Sequence, residues 1–167
     1  MRIKSAKGFS LIELLIVIAI IAILATVAAP NYNKYRYNTK LKEVARDIAD
    51  DIKLYKQKAM NENTNYKISY GNNSTIYMYT CQNSTWTWSP AIPPSKAVAT
   101  DSSVVISGTP NFAANFAGSN NTTTELIITP RGTMGNGSLV LNHTKQLSTA
   151  TITTYFMGRV QVAYVLK

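Results

Sequence analysis

The chain has 167 residues, a length that suits one domain with an appendage, and only 15% of its residues are charged. A single Cys and a single His exclude an intrachain disulfide framework and a His-cluster metal site. The formal net charge of +9 favours an anionic partner, such as nucleic acid or a membrane surface, unless the charges are confined to one part of the chain.

The first predicted element is an apolar helix over residues 9–29. Only Ser10, Glu13 and Thr26 are not apolar in this run. At 1.5 Å per residue the run extends over about 31 Å, which is enough to cross the hydrocarbon core of a bilayer. A short segment with three positive charges, residues 1–8, precedes it. Hydropathy therefore predicts a single membrane anchor with its N-terminus in the cytoplasm, although positive charges are nearly balanced across it.

Glu13 is the one ionisable residue in the apolar run. A carboxylate at full membrane depth costs roughly 2.5–3.5 kcal/mol on insertion scales and is usually functional where it is retained. Two interpretations are open. Glu13 either lies near the lipid headgroups and reaches water, or it has a specific role inside the membrane.

The segment KGFSLIE at residues 7–13 resembles the class III signal of type IV prepilins and type II secretion pseudopilins. The shared features are the basic leader, the Gly-Phe junction, the Glu four residues after the Phe, and the uninterrupted apolar run. The resemblance implies that a prepilin peptidase cleaves after Gly8 and that Phe9 is then N-methylated. It also implies that Glu13 neutralises the new amine during filament assembly. At Pro30 it implies a bend or local opening of the helix, because proline lacks the amide hydrogen.

An amphipathic part of the same helix is predicted over residues 30–60. Apolar residues recur there at steps of three and four, and the other face is charged. We expect the apolar stripe to pack on a sheet of the same chain and the charged face to be solvated. The stripe comprises Leu41, Val44, Ala45, Ile48, Ile52, Tyr55 and Ala59.

Residues 61–167 are rich in Ser, Thr, Asn and Gly, and short β-prone runs alternate with turn residues. This pattern predicts an α+β fold in which a strand-rich domain packs on the helix. Residues 71–73 are expected to form a hairpin turn, and residues 90–94 and 108–121 surface loops. The predicted strands are residues 66–70, 75–80, 86–88, 104–107, 125–129, 138–142, 151–156 and 159–166.

Two C-terminal patterns are similar to GspH/FimT-type minor pilins and pseudopilins. They are TPRGT at residues 129–133 and GRVQV at residues 158–162. The resemblance implies the type IV pilin fold, with a long N-terminal helix packed on a C-terminal antiparallel β-sheet domain. It also implies a structural subunit of a type IV pilus or a type II secretion pseudopilus.

Three parts of the chain follow from these patterns: a cleaved leader at 1–8, an N-terminal helix at 9–60 and a β-rich domain at 61–167. Within the helix, residues 9–29 would span the membrane and later form the filament core, and residues 30–60 would form a stalk. The implied location is the bacterial inner membrane, with the N-terminus cytoplasmic and the β domain periplasmic, and then a periplasmic pseudopilus or an extracellular pilus. The implied partners are other pilin subunits, the prepilin peptidase, the inner-membrane assembly platform and, before assembly, lipid.

Two alternative functions remain open. A DNA-binding minor pilin of an uptake pilus is indicated by Arg159, with Lys145 and Arg131 as further phosphate contacts. DNA is not the favoured partner, because Gln161 stands where the second Arg of a Gly-Arg-x-Arg motif is expected. In addition, residues 61–167 hold only six bases against three acids. A major pilin that forms the filament itself is indicated by the Thr/Asn-rich composition and the length of the chain.

Few residues suit catalysis. No carboxylates are paired at acid–base spacing, so we expect no enzyme, no cofactor and no metal site. The Gly-rich residues 131–137 are expected to form a hairpin or bulge loop, because the Gly-Lys-Ser/Thr ending of a phosphate loop is missing. We expect His143 in an exposed loop and Cys81 as a buried or idle thiol. Trp86 and Trp88 are expected to pack on one side of a strand.

Overall fold

The computed structural model describes residues 9–70, 75–81, 88–97, 103–107, 111–112 and 124–167. These residues form one long helix and nine strands. The chain divides into two compact units, Met1–Arg36 and Tyr37–Lys167. The leader, the hairpin turn expected at 71–73 and the expected position of Trp86 lie outside the described residues.

The helix α1 is Leu11–Glu62, so the long N-terminal helix is confirmed. At its C-terminal end, Asn63 adopts the left-handed conformation with φ of 50°. The Thr64 amide then donates to the Ala59 carbonyl at 3.2 Å. A left-handed residue with a bond that reaches back over the last turn is a common helix C-cap. This cap explains why α1 extends two residues beyond the predicted end.

The apolar side chains in the N-terminal part of α1 are exposed in the described chain. Phe9 is 78% exposed, and its large apolar neighbours over residues 11–24 are exposed on all sides of the helix. Among the described helices, none taken alone is long and apolar enough to cross a membrane. The two parts of α1, Leu11–Thr26 and Asn31–Glu62, meet this requirement of length and composition when they are taken together as a bent pair. Apolar surface of this extent normally contacts lipid or other proteins.

Two antiparallel sheets form the second unit. One has the strand order β3-β2-β1-β6, and the other has the order β4-β7-β8-β9, with β5 also paired to β7. Seven of the eight predicted strands are confirmed, with ends that differ by at most two residues. The strands are β1 Tyr66–Tyr70, β2 Thr75–Cys81, β3 Trp88–Ala97, β4 Val104–Ile106, β5 Asn111–Phe112, β6 Glu125–Ile128, β7 Gly137–His143, β8 Thr149–Thr154 and β9 Val160–Val165.

The prediction of a surface loop at residues 90–94 is wrong, because these residues belong to β3. β3 lies at the edge of its sheet, where proline is tolerated since one side of the strand needs no ladder bonds. The register also shifts here: Tyr77 pairs with Ser95, but Tyr79 pairs with Pro90. The other two prolines of the segment, Pro93 and Pro94, therefore fall in an irregularity and not in the regular ladder.

The prediction of a surface loop at residues 108–121 is wrong at residues 111 and 112. Asn111 and Phe112 form β5 and pair with Ser138 and Gly137 of β7. Phe112 is buried and stacks on Tyr70 with 5.5 Å between ring centroids. A two-residue strand is too short to give a periodic signal, and only the contact with β7 defines it. The other residues of the expected loop lie outside the described chain.

The core of the second unit lies between α1 and the sheets. Every residue of the predicted apolar stripe of α1 is buried, and so are alternate residues of β1 and β7. The alternation in the strands follows the period of two in a pleated strand, and the stripe follows the 3.6-residue helical repeat. The stripe is therefore confirmed as core, and it fixes which side of α1 faces solvent.

Candidate functional site

The N-terminal candidate site is the junction before α1. Gly8 lies outside the described residues. The Ser10 carbonyl accepts the Glu13 amide at 3.1 Å and the Leu14 amide at 3.2 Å. Glu13 therefore lies in the first turn of α1, where the positive end of the helix dipole favours a carboxylate. Phe9 and Glu13 are both exposed, and their roles in processing and assembly stay predictions.

Pro30 lies inside α1. Proline has no amide to donate to the carbonyl of Thr26, four residues earlier. Thr26 itself directs its hydroxyl to the Ile23 carbonyl at 2.7 Å, a local bond that is associated with bent helices. The bend or opening at Pro30 stays a prediction.

Two of the three predicted DNA-contact residues lie in turns that touch. Arg131 belongs to the turn 129–133, and Arg159 ends the turn 155–159. Within each turn the glycine amide closes a backbone hydrogen bond, at 2.9 Å and 2.8 Å. The Arg159 guanidinium lies 5.8 Å from the centroid of the Tyr155 ring, a cation–π contact. Both arginines are exposed, and neither forms an ion pair within the part of the chain that the structure describes.

The two turns meet at their glycines. Gly132 has φ of 76° and Gly158 has φ of 79°, a region that favours glycine. A Cβ at Gly158 would lie 2.3 Å from the Gly132 carbonyl oxygen, so the backbones are in contact there. The Nζ of Lys56 donates to the Gly158 carbonyl at 3.2 Å. Lys56 thus ties α1 to the turn that carries Arg159.

Lys145 lies elsewhere in the domain. It belongs to the β7–β8 turn, in which the Ser148 hydroxyl donates to the Asn38 side-chain oxygen at 2.8 Å. Asn38 precedes Lys56 by 18 residues of α1, or about 27 Å along the helix. The structure therefore brings Arg131 and Arg159 together and places Lys145 near the other end of the domain.

His143 is buried, which corrects the exposed loop expected for it. It ends β7, is only 4% exposed, and packs its ring against Tyr37 with 4.8 Å between centroids. Its Nδ1 accepts the Lys145 amide at 3.1 Å. The alternation of Leu139 and Leu141 continues to His143, so a strand one residue longer would have predicted the burial.

The described residues hold no metal-binding cluster, and two of their tyrosines have raised pKa values. No group of three or more His, Cys, Asp or Glu side chains that could hold a metal ion occurs among them. Burial raises the pKa of the Tyr70 hydroxyl above its ordinary value. The pKa of Tyr66 is also raised, by burial and by its bond to the Glu62 carboxylate.

Two family models match separate parts of the chain. The prokaryotic N-terminal methylation motif matches residues 3–29. The model of the type II transport protein GspH matches residues 44–158, which is more than half of the chain. This chain belongs to the GspH family. The GspH match contains α1 from residue 44 onward, both sheets up to β8, the turn 129–133, and the turn 155–159 as far as Gly158.

Solved structures with the fold of this GspH-family chain include minor pseudopilins and minor pilins. The minor pseudopilin EpsH of Vibrio cholerae has a TM-score of 0.56 at 9% identity, covering 74% of this chain and 96% of that one. The type IV minor pilin FimU of Pseudomonas aeruginosa has a TM-score of 0.52 at 10% identity, covering 77% of this chain and 92% of that one. These likenesses confirm the type IV pilin-like fold.

Curated relatives match a smaller part of the GspH-family chain. The type IV major fimbrial protein FimA of Dichelobacter nodosus is 52% identical over 48 residues, which is 29% of each protein. The chain spans only about 30% of the length of the first curated relatives that it matches. The strong identity is thus confined to a short segment.

The methylation motif and the family together indicate a protein that is anchored in a membrane and then enters a pilus or pseudopilus. The touching turns and Lys56 are features that sequence reasoning missed. The positions of the two glycines were visible in the sequence, but their contact joins residues that are 26 positions apart.

Proposed function

We propose that this GspH-family protein is a structural subunit of a type IV pilus or a type II secretion pseudopilus, and that it is a minor subunit. The observation that carries the proposal is the combination in one chain of the methylation motif at 3–29 and the GspH match at 44–158. The exposed apolar helix at the N-terminus supports it, because such a surface needs lipid or neighbouring helices to cover it.

The proposed mechanism begins with processing. A prepilin peptidase on the cytoplasmic side cleaves after Gly8, and the amine of Phe9 is methylated. The carboxylate of Glu13 then faces the Phe9 amine of a neighbouring subunit in the filament core. An unpaired charge is costly in that apolar environment, so the pairing favours correct addition of a subunit.

The proposed location changes during assembly. Residues 9–29 hold the chain in the inner membrane, with the N-terminus in the cytoplasm and residues 61–167 in the periplasm. Basic residues just after the span would attract anionic lipid headgroups before assembly. The inner-membrane assembly platform then moves the subunit from lipid into the helix bundle of the filament, where Pro30 provides a flexible point.

A minor subunit agrees better with the comparisons than a major pilin. The GspH model covers the β domain, whereas the match to a major fimbrial protein covers only 48 residues. The fold is also that of minor pilins and pseudopilins. We therefore do not favour the major-pilin alternative.

Mass spectrometry of the mature chain from cells with an active prepilin peptidase tests this proposal. We expect an N-terminus at Phe9 carrying one methyl group, and the protein in sheared pili or in cross-linked pseudopili. An intact leader, or absence from both kinds of filament, would contradict the proposal. A Gly8→Leu variant provides the control, because a larger side chain at the cleavage site should retain the leader.

A second candidate function is a DNA-binding minor pilin. One observation favours it: Arg131 and Arg159 lie in touching turns, with the Tyr155 ring beside Arg159. The position of Lys145 at the far end and the Gln at 161 weigh against it. Binding of a short duplex should be measured over a salt series for the parent and for Arg159→Gln, with Lys145→Gln as the matched control. No binding at low salt would eliminate this candidate.

A further inference from the structure

We propose that the β7–β8 turn, residues 144–148, binds the anionic headgroup surface of the membrane before the subunit enters a filament. The inference rests on the proposed function, because it needs residues 9–29 in the membrane. It adds a second contact with lipid, which the β domain makes by itself. The lipid-binding surface consists of Lys145 and Leu147 in the turn and of Lys167 beside it.

The turn lies at the end of the second unit that comes first in the chain. This unit starts at Tyr37, whose ring packs on His143 with 4.8 Å between centroids. The next residue, Asn38, accepts the Ser148 hydroxyl at 2.8 Å. The predicted span ends at residue 29, and the eight residues from there to Tyr37 cover about 12 Å of helix. Headgroups occupy about 5–7 Å on each side of the hydrocarbon core, so this connection keeps the turn within reach of them.

The lipid-binding surface combines an apolar side chain with bases. Leu147 is 78% exposed. Lys145 is exposed and forms no ion pair in the part of the chain that the structure describes. Lys167 is held beside the turn, because its amide donates to the Ser148 hydroxyl at 2.9 Å and its carbonyl accepts the Gln146 side-chain amide. An exposed apolar side chain flanked by bases fits a membrane surface, where it enters the headgroup layer while the bases bind lipid phosphate.

The charge around the turn is complementary to anionic lipid. Residues 37–42 and 143–149, which meet at this end of the unit, include Lys40, Lys42 and Lys145 and contain no Asp or Glu. The next acid along α1 is Glu43, and it pairs with Lys40 at 3.3 Å. A cluster of bases next to a membrane is attracted by its negative surface potential.

Hydrogen bonds order the turn before it binds. The Gln146 amide donates to the His143 carbonyl at 3.3 Å, and the Lys145 amide donates to the His143 Nδ1 at 3.1 Å. The Thr144 amide donates to the Ser103 carbonyl at 2.8 Å. An ordered turn loses little conformational entropy on binding. The anchor also keeps the turn at a high effective concentration near lipid, so a small contact surface is sufficient.

The opposite end of the second unit has a similar composition and serves as a comparison. Met157 is 79% exposed there, and Arg159 is an exposed base close to it in the chain. This end lies at Lys56, about 27 Å along α1 from Asn38. Composition alone would select both ends. Only the distance from the predicted span distinguishes Leu147 from Met157.

Fluorescence quenching in lipid vesicles tests the inference on the full-length chain. Leu147→Cys and Met157→Cys are made in a Cys81→Ser background and labelled with nitrobenzoxadiazole. Both are reconstituted into phosphatidylcholine vesicles with or without phosphatidylglycerol, and lipids with spin-labelled headgroups serve as quenchers. With phosphatidylglycerol present, we expect roughly fivefold stronger quenching at 147 than at 157. Lys145→Gln and Lys167→Gln should each lower the ratio of bound to free turn by about fivefold, the factor that one base contributes near an anionic surface.

The matched control is Arg131→Gln with Arg159→Gln, which removes two exposed bases from the opposite end and should leave quenching at 147 unchanged. Equal quenching at 147 and 157, or quenching at 147 that does not depend on phosphatidylglycerol, would overturn the inference. A blue shift of the dye at 147 in inner-membrane vesicles but not in lipid vesicles would assign the turn to a membrane protein and overturn it as well.

A label at Ile16→Cys separates this inference from the proposed function. Its dye should be quenched by spin labels on the lipid acyl chains. If the dye at 16 is quenched and the dye at 147 is not, only this inference fails. If the dye at 16 is not quenched, the membrane anchor of the proposed function fails and the inference fails with it.

Discussion

Ile16 and Ile52 lie in the same helix, but Ile16 is 53% exposed and Ile52 is 1% exposed. The N-terminal part of α1 is apolar all around, whereas the part after Tyr37 is apolar along one stripe only. The stripe is covered by the sheets of the same chain. The all-round apolar surface finds no cover in the described part of the chain.

This difference separates folding from assembly. The second unit buries its apolar surface by itself, so its stability depends on its own core. The first unit depends on molecules outside the chain, which are lipid and then neighbouring subunits in the proposed function. Substitutions in the two parts of α1 should therefore change different measurements.

The largest expected effect comes from Glu13. In the Glu13→Ala variant we expect membrane insertion and processing to continue, while incorporation into filaments falls by about a hundredfold or more, because loss of one partner of a buried ion pair costs about 3–5 kcal/mol. Immunoblotting measures the amount of the variant in sheared filaments relative to its amount in total membranes. Thr26→Ala, in the same apolar segment, is the control. Equal incorporation of both variants would remove Glu13 from the mechanism.

The next effect tests the two isoleucines directly. Ile52→Ala should lower the free energy of unfolding of the second unit by about 2–5 kcal/mol, because it leaves a cavity under a closely packed helix. Ile16→Ala should change that value by less than about 0.5 kcal/mol. Urea unfolding of the full chain in detergent, followed by tryptophan fluorescence, gives both numbers. Similar losses for both variants would refute the separation of the two parts.

A smaller effect is expected at the glycine pair. Gly158→Ala should destabilise the second unit by about 1–3 kcal/mol. The new Cβ would meet the Gly132 carbonyl oxygen, and the alanine backbone would have to adopt the left-handed conformation. Gly132→Ala should cost less, because its Cβ would meet only the flexible ends of Lys56 and Met60, at 3.1 Å each. The same unfolding experiment compares them. A larger loss of stability in Gly132→Ala than in Gly158→Ala would contradict the contact between the two turns.

The smallest effect concerns Lys56. Lys56→Met keeps the aliphatic stem and removes the bond to the Gly158 carbonyl, so we expect a loss of about 1 kcal/mol. Lys53→Met removes an exposed ion pair with Asp50 and should cost less than about 0.5 kcal/mol. Differential scanning calorimetry of both variants resolves the difference. Identical values would indicate that the Lys56 bond adds nothing beyond surface electrostatics.

The sequence predicted the parts of the fold that repeat locally. The stripe from Leu41 to Ala59 was identified because it repeats along a helix, and most strands were identified because β-prone residues are bounded by turn residues. The errors fall where a distant segment decides the structure. Phe112 is a core residue only because β5 pairs with β7, and Pro90 is in a strand because β3 lies at a sheet edge.

The candidate sites divide in the same way. The pattern around Gly8, Phe9 and Glu13 is contiguous, so the sequence alone was enough to propose it. The three candidate DNA-contact residues were chosen from the sequence without knowledge of the distances between them. The structure separates Lys145 from Arg131 and Arg159. A count of charges cannot show this separation, because it carries no information about where the basic residues lie in the folded domain.

The sequence by itself therefore determined the class of this protein, its apolar anchor and the side of α1 that faces the core. These properties depend on neighbouring residues and on helical and strand periodicity, which can be read along the chain. Only the tertiary structure decided that Gly132 meets Gly158 over Lys56, that His143 is buried against Tyr37, and that Arg131 and Arg159 lie in turns that touch. Each of these depends on contacts between residues far apart in the chain, and such contacts form only when the sheets pack on the helix.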